Sequence, residues 1–229
     1  MPTAQSVFAV LLLCAVCPLC AGEAWGQTTT SAPAPASTDS PPTDGDDAAN
    51  AWSFSASAST YIQNDSGAYV QPTLIADRDW LHLEARFNYE GLNTASLWAG
   101  YNLSFGEKLV LDLTPMIGGV FGDTSGVAPG YRLALTYGRF ELSSEGEYLL
   151  DCGGSSGNFF YCWTEARYAP VEWFWFGLAA QRTRAYESDL DVQPGVLVGA
   201  AWKSLNCTVY LFNIGLDDPT LVVSVGIDF

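Results

Sequence analysis

The 229-residue chain carries 25 acidic against nine basic residues, a formal charge of −16, yet charged residues make up only 15% of it, against roughly 25% in an ordinary soluble domain. Nine Lys and Arg spread over this length make no basic face, which excludes a nucleic-acid binder, and 14% aromatic residues with eight Trp exclude a mostly disordered chain. Lysine, the usual residue of hydrated surfaces, occurs only as Lys108 and Lys203, so much of the surface faces something other than water.

Val7 to Ala21 is an apolar run followed by Ala21-Gly22-Glu23-Ala24. It reads as a secretory signal peptide over residues 1–24, too short for a comfortable transmembrane helix, although no Lys or Arg precedes it. Cys14, Cys17 and Cys20 invite a lipidation reading, but Pro18-Leu19 stands where a small residue is expected before a lipidated cysteine. Residues 25–50, rich in Ser, Thr, Pro, Ala and Asp, lack apolar periodicity and read as a disordered leader, a passive spacer in the first instance.

From Ala51 onward the pattern is alternation. Leu81, Leu83, Ala85, Phe87 and Tyr89 share one face; His82, Glu84, Arg86, Asn88 and Glu90 share the other. Leu109, Leu111, Leu113, Ile117 and Phe121 repeat the rhythm, as do Leu221, Val223, Val225, Ile227 and Phe229. A two-residue turn at Gly138-Arg139 explains why the apolar row changes parity between Tyr137 and Phe140. About twelve strands follow, near 51–63, 69–76, 80–90, 94–104, 108–121, 130–137, 140–151, 158–169, 172–184, 195–203, 206–214 and 219–229, with ten as the alternative count. The strands near 69, 158, 172 and 206 alternate poorly, and their faces stay open.

Alternation fits a soluble barrel with an apolar lumen as well as a membrane barrel with a polar one. Serines line the first strand (Ser53, Ser55, Ser57, Ser59), and aromatics gather at strand ends. One rim takes Trp52, Phe54, Tyr101, Tyr137, Phe140, Tyr168, Trp202 and Phe229; the other takes Phe87, Tyr89, Phe121, Tyr131, Tyr148 and Phe160. Two such girdles are what membrane interfaces select. With the final strand ending on Phe229, the chain resembles bacterial outer-membrane β-barrels of porin-like type. The resemblance implies a closed antiparallel up-and-down transmembrane β-barrel over residues 51–229, placed in the bacterial outer membrane. It also implies that Leu221, Val223, Val225, Ile227 and Phe229 are read by the barrel assembly machinery, and that outer-membrane lipid and small solutes are the remaining partners. Closure follows from hydrogen bonding, because an open sheet edge in hydrocarbon leaves backbone groups unpaired.

The rows expected to line the pore carry His82, Glu84, Arg86, Asn88, Trp98, Asn102, Lys108, Asp112, Arg132, Arg139, Glu141, Glu145, Glu147, Glu165 and Arg167. Six carboxylates against five Lys and Arg is near balance. Ion pairs bracing the wall and a water-filled pore with charged rings are both open readings. Trp98, with Trp173 or Trp175, is expected to narrow the lumen. The outer mouth is expected to carry Asp65, Glu90, Asp123, Asp151, Glu187, Asp189, Asp191, Asp217 and Asp218, which enriches cations locally and gives a weak cation preference. Cys152 and Cys162 flank one loop, where an oxidising compartment permits a disulfide.

Passive diffusion of small solutes is the function these features favour, with a sealed structural barrel as the alternative. A lipid-acting barrel enzyme using His82, the single histidine, ranks lower, as does a secreted lipocalin-like protein. One histidine and no Cys/His spacing give no metal site and no cofactor motif.

Overall fold

The computed structural model describes residues 51–63, 67–154, 157–185, 191–216 and 219–229. The expected signal and leader, and the mouth residues Asp65, Glu187, Asp189, Asp217 and Asp218, lie outside the described residues.

Each stretch of alternation becomes a strand, because period-two patterning is satisfied only when successive side chains leave opposite faces. In chain order these are β1 (Ser53–Gln63), β2 (Gly67–Arg78), β3 (Leu81–Phe87), β4 (Thr94–Tyr101), β5 (Leu103–Phe105), β6 (Leu109–Gly122) and β7 (Gly126–Tyr137). They continue as β8 (Phe140–Asp151), β9 (Phe159–Val171), β10 (Phe174–Ala185), β11 (Asp191–Trp202), β12 (Leu205–Phe212) and β13 (Thr220–Asp228).

All neighbours are antiparallel, and β1 pairs with β13, so the sheet closes on itself. Both β4 and β5 pair with β6. They are one expected strand interrupted at Asn102, whose N–H turns aside to the Trp80 carbonyl at 2.7 Å. The ring therefore has twelve members plus the short β5, as the larger strand count requires. At the seam, Phe54 and Phe229 exchange two backbone hydrogen bonds of 2.9 Å and stack their rings at 5.9 Å. Closure leaves the ring without an edge to aggregate or to strand polar groups in lipid.

The end that carries Ser53 and Phe229 has tight turns. Asp79 (φ 51°), Gly138 (φ 60°) and Lys203 (φ 57°) supply the left-handed backbone that two-residue hairpins need. Connections at the opposite end are longer and run through residues 88–93, 152–158 and 213–219.

Outward rows are apolar and exposed: Leu74, Leu97, Ile117, Leu178, Val198 and Val225 form a band around the wall. Trp52, Phe54, Tyr101, Tyr137, Phe140, Trp202 and Phe229 lie exposed toward the termini, with Phe87 and Phe121 at the other end. The expected Tyr89 leaves this girdle. Asn88 adopts φ 58°, which inverts the parity of the row, and Tyr89 turns inward to 2% exposure.

Candidate functional site: the barrel interior

The inward rows of β3, β4, β7 and β8 place the expected charged residues in one network. Arg86 Nε donates to Glu84 Oε1 at 2.7 Å and its Nη1 to Glu147 Oε2 at 2.9 Å. Arg132 approaches Glu84 from β7, with Nη1 3.6 Å from Oε2. Tyr89 OH donates to Glu145 Oε1 at 2.5 Å. His82 lies between two carboxylates, Nδ1 2.8 Å from Asp77 and Nε2 3.2 Å from Glu84. Asn102 extends the chain toward the termini, donating to Asp77 at 2.7 Å and accepting from Thr114 at 2.7 Å. Burial without partners would cost each of these charges several kcal/mol, and mutual pairing offsets that cost.

A second network runs over β8, β9 and β12. Arg167 pairs with Glu141 and approaches Glu165 at 3.7 Å. Glu165 Oε1 also accepts from Trp163 Nε1 at 2.7 Å and from Tyr210 OH at 2.9 Å. Trp163 packs edge-on to Tyr210 and Phe212. Tyr61, Tyr161 and Trp175 add bulk beside them, all buried. Trp98 and Trp175 are both buried, whereas Trp173 is exposed in the turn before β10.

Several expected positions move. Lys108 and Arg139 are exposed in tight turns at the terminal end, where Arg139 donates to the Pro170 carbonyl. Asn88 faces the loop instead of the pore, with Nδ2 bonded to the Val70 carbonyl and Oδ1 accepting from the Asn93 N–H. Glu90, expected at the mouth, is folded inward to 2% exposure. Asp123 and Asp151 stay at the loop end, accepting from Asn93 Nδ2 and from the Gly153 N–H respectively. Asp77, absent from the expected pore set, belongs to it. Asp77, Glu84, Glu90, Asp112, Glu141, Glu145, Glu147 and Glu165 are thus among the described acids facing the interior, against Arg86, Arg132, Arg167 and His82. The interior is acidic, and the expected near-balance is corrected: the turn backbone carries two of the five expected bases out of the barrel.

The disulfide between Cys152 and Cys162 is also absent: neither sulfur is bonded to another sulfur. Cys152 is exposed beyond the end of β8. Cys162 sits mid-strand on the outer wall opposite Gly146, buried within 3.7 Å of Ser144 and Thr164.

The interior is hollow toward the terminal end. A cavity of about 180 Å³ is lined by Asp77, His82, Asn102, Asp112, Arg132 and Glu145, among others. Beyond it, Glu84, Arg86, Glu147 and the aromatic side chains close the lumen.

No family model matches this chain, and no curated protein matches it in sequence. Among solved structures the fold is similar to "KdgM porin", with a TM-score of 0.56 and 13% identity over 76% of this chain and 99% of that one. "KdgM porin in complex with disordered oligogalacturonate" is similar in the same way, with a TM-score of 0.55, 13% identity and the same coverage. What the chain shares with these structures is the fold, a closed antiparallel β-barrel.

Proposed function

We propose that this barrel lies in the bacterial outer membrane, termini toward the periplasm, and works as a porin-like channel for small solutes with a weak preference for cations. The signal peptide (1–24) and leader (25–50) belong to this reading, as does recognition of the final strand by the assembly machinery. The observation that carries the reading is the acidic interior: leaving out Glu90, whose buried carboxyl holds a proton, seven acidic side chains face three arginines and one histidine inside a closed β-barrel wall. Acidic groups on a low-dielectric wall concentrate cations and repel anions. By the same argument a polyanion such as the oligogalacturonate of the similar porin is a poor solute for this chain.

The closed lumen favours a second reading, a sealed structural barrel. In the channel reading, conduction requires the interior network to rearrange, so conductance is small and intermittent. Both ring nitrogens of His82 are engaged by carboxylates. That arrangement braces the wall and leaves no free base for lipid chemistry.

Purified protein in planar bilayers under a potassium chloride gradient tests the proposal. Discrete openings with a reversal potential on the cation side are expected. Chloride selectivity overturns the solute preference, and silence from heat-modifiable, folded protein leaves the sealed barrel.

A further inference from the structure

Arg86 is surrounded by groups that select cations. Its guanidinium carbon lies 4.2 Å from the Tyr89 ring centroid and 4.6 Å from that of Trp98. Its edge donates to Glu84 and Glu147 at 2.7 and 2.9 Å. Two aromatic faces with two carboxylates recognise a guanidinium whatever molecule carries it.

Three of the four groups that enclose Arg86 are braced independently of it. Trp98 is seated over Gly118 and donates from Nε1 to Ser96 at 3.0 Å. Tyr89 is anchored on Glu145, and Glu84 is held by His82. His82 and Glu145 also line the cavity that opens at the terminal end, so a solute entering there meets the supports of the enclosure first. Buried Glu90 and Glu145 offer a displaced Arg86 alternative partners.

We infer that Glu84, Glu147, Tyr89 and Trp98 form a subsite for solutes bearing a guanidinium group, and that Arg86 closes the barrel by occupying it. The closure rests on the channel reading above; the binding itself does not. A solute guanidinium competes with Arg86 for the same four groups, so passage of such solutes is coupled to release of the plug.

The test uses the full-length protein, folding checked by heat-modifiable migration, with methylguanidinium chloride as probe and equimolar sodium chloride and urea as controls. Arg86→Ala is expected to conduct several-fold more than wild type and to lose its barrel structure at a lower temperature. Millimolar methylguanidinium is expected to raise that temperature and to block the current, while the controls do neither. A folded Arg86→Ala protein that conducts but ignores methylguanidinium in both measurements overturns the subsite and leaves the channel reading standing. Stabilisation of the variant well beyond that of wild type, with no current from either, supports the subsite and overturns the channel reading. Should Arg86→Ala fail to fold, Arg86→Gln removes the guanidinium while keeping a hydrogen-bonding side chain toward Glu84 and Glu147. Raised conductance and methylguanidinium block are then expected, and the absence of both overturns the inference.

Discussion

The indole of Trp98 occupies the space that a side chain at Gly118 would fill: a Cβ built on Gly118 would stand 2.4 Å from the ring, and the two residues are direct cross-strand partners. Gly199 and Trp175 repeat the relationship on β11 and β10, at 2.3 Å. A large ring lying over a partner glycine covers exposed backbone and fills the interior at once. Gly118→Ala forces Trp98 off its seat and disturbs the clamp on Arg86. The expected cost is about 1–3 kcal/mol, as for other overpacked interiors, read as a lower unfolding midpoint in detergent. An unchanged midpoint and unchanged Trp fluorescence would count against the seat.

Glu90 gives a pH-dependent prediction. Burial pushes its carboxyl above the ordinary value despite the opposing charge of Arg86. A carboxyl with a raised folded-state pKa holds a proton that the unfolded chain has released, so stability falls as pH rises above the ordinary carboxylate range. Glu90→Gln should therefore unfold at a higher temperature than wild type at neutral pH. That gain should disappear in acid, where both proteins are neutral at this position. A gain of equal size at every pH would contradict the assignment.

The three described cysteines report orientation. Cys152 is exposed at the loop end, Cys162 is buried in the wall, and Cys207 is exposed on β12 near the terminal end. An impermeant maleimide applied to intact cells is expected to label Cys152 and to spare Cys162. Labelling of Cys207 should require access from the membrane or the periplasm. Migration without reductant should match migration with it, because no disulfide forms between Cys152 and Cys162.

Phe229 closes the seam by backbone pairing and by stacking on Phe54. Phe229→Ala keeps the backbone bonds but removes the stack, which is worth about 0.5–1.5 kcal/mol beyond buried area. A reduced yield of heat-modifiable barrel is expected in cells, with a smaller deficit on refolding in detergent, a difference that the proposed recognition of the final strand by assembly machinery requires. Equal deficits in both settings would assign the whole effect to the seam.

Alternation revealed the barrel because one wall of β1, β3, β6 and β13 faces lipid and the other meets small or polar groups. The poorly alternating strands near 69, 158 and 206 have a physical cause. Their inward rows carry Tyr69, Tyr161, Trp163, Tyr210 and Phe212, so both faces are bulky and apolar and the period is masked. The charged interior was legible residue by residue at Glu84, Arg86, Glu145, Glu147, Glu165 and Arg167. Its sign was not, because it depends on backbone at the strand ends. A left-handed Asn88 turns Tyr89 inward in a region that folds in Glu90, and tight turns carry Lys108 and Arg139 out. Such reversals leave little mark on composition.

The Ser59 and Ser224 hydroxyls meet at 3.0 Å across the seam, 165 residues apart in the chain. Each hairpin elsewhere in the ring forms from neighbours in sequence, whereas this contact demands closure of nearly the whole length, the slowest class of folding event. Until it forms, β1 and β13 both present unpaired edges. The rate of barrel completion is therefore set at one strand pair, and a folding helper that holds those two edges together accelerates it more than one that acts on any hairpin.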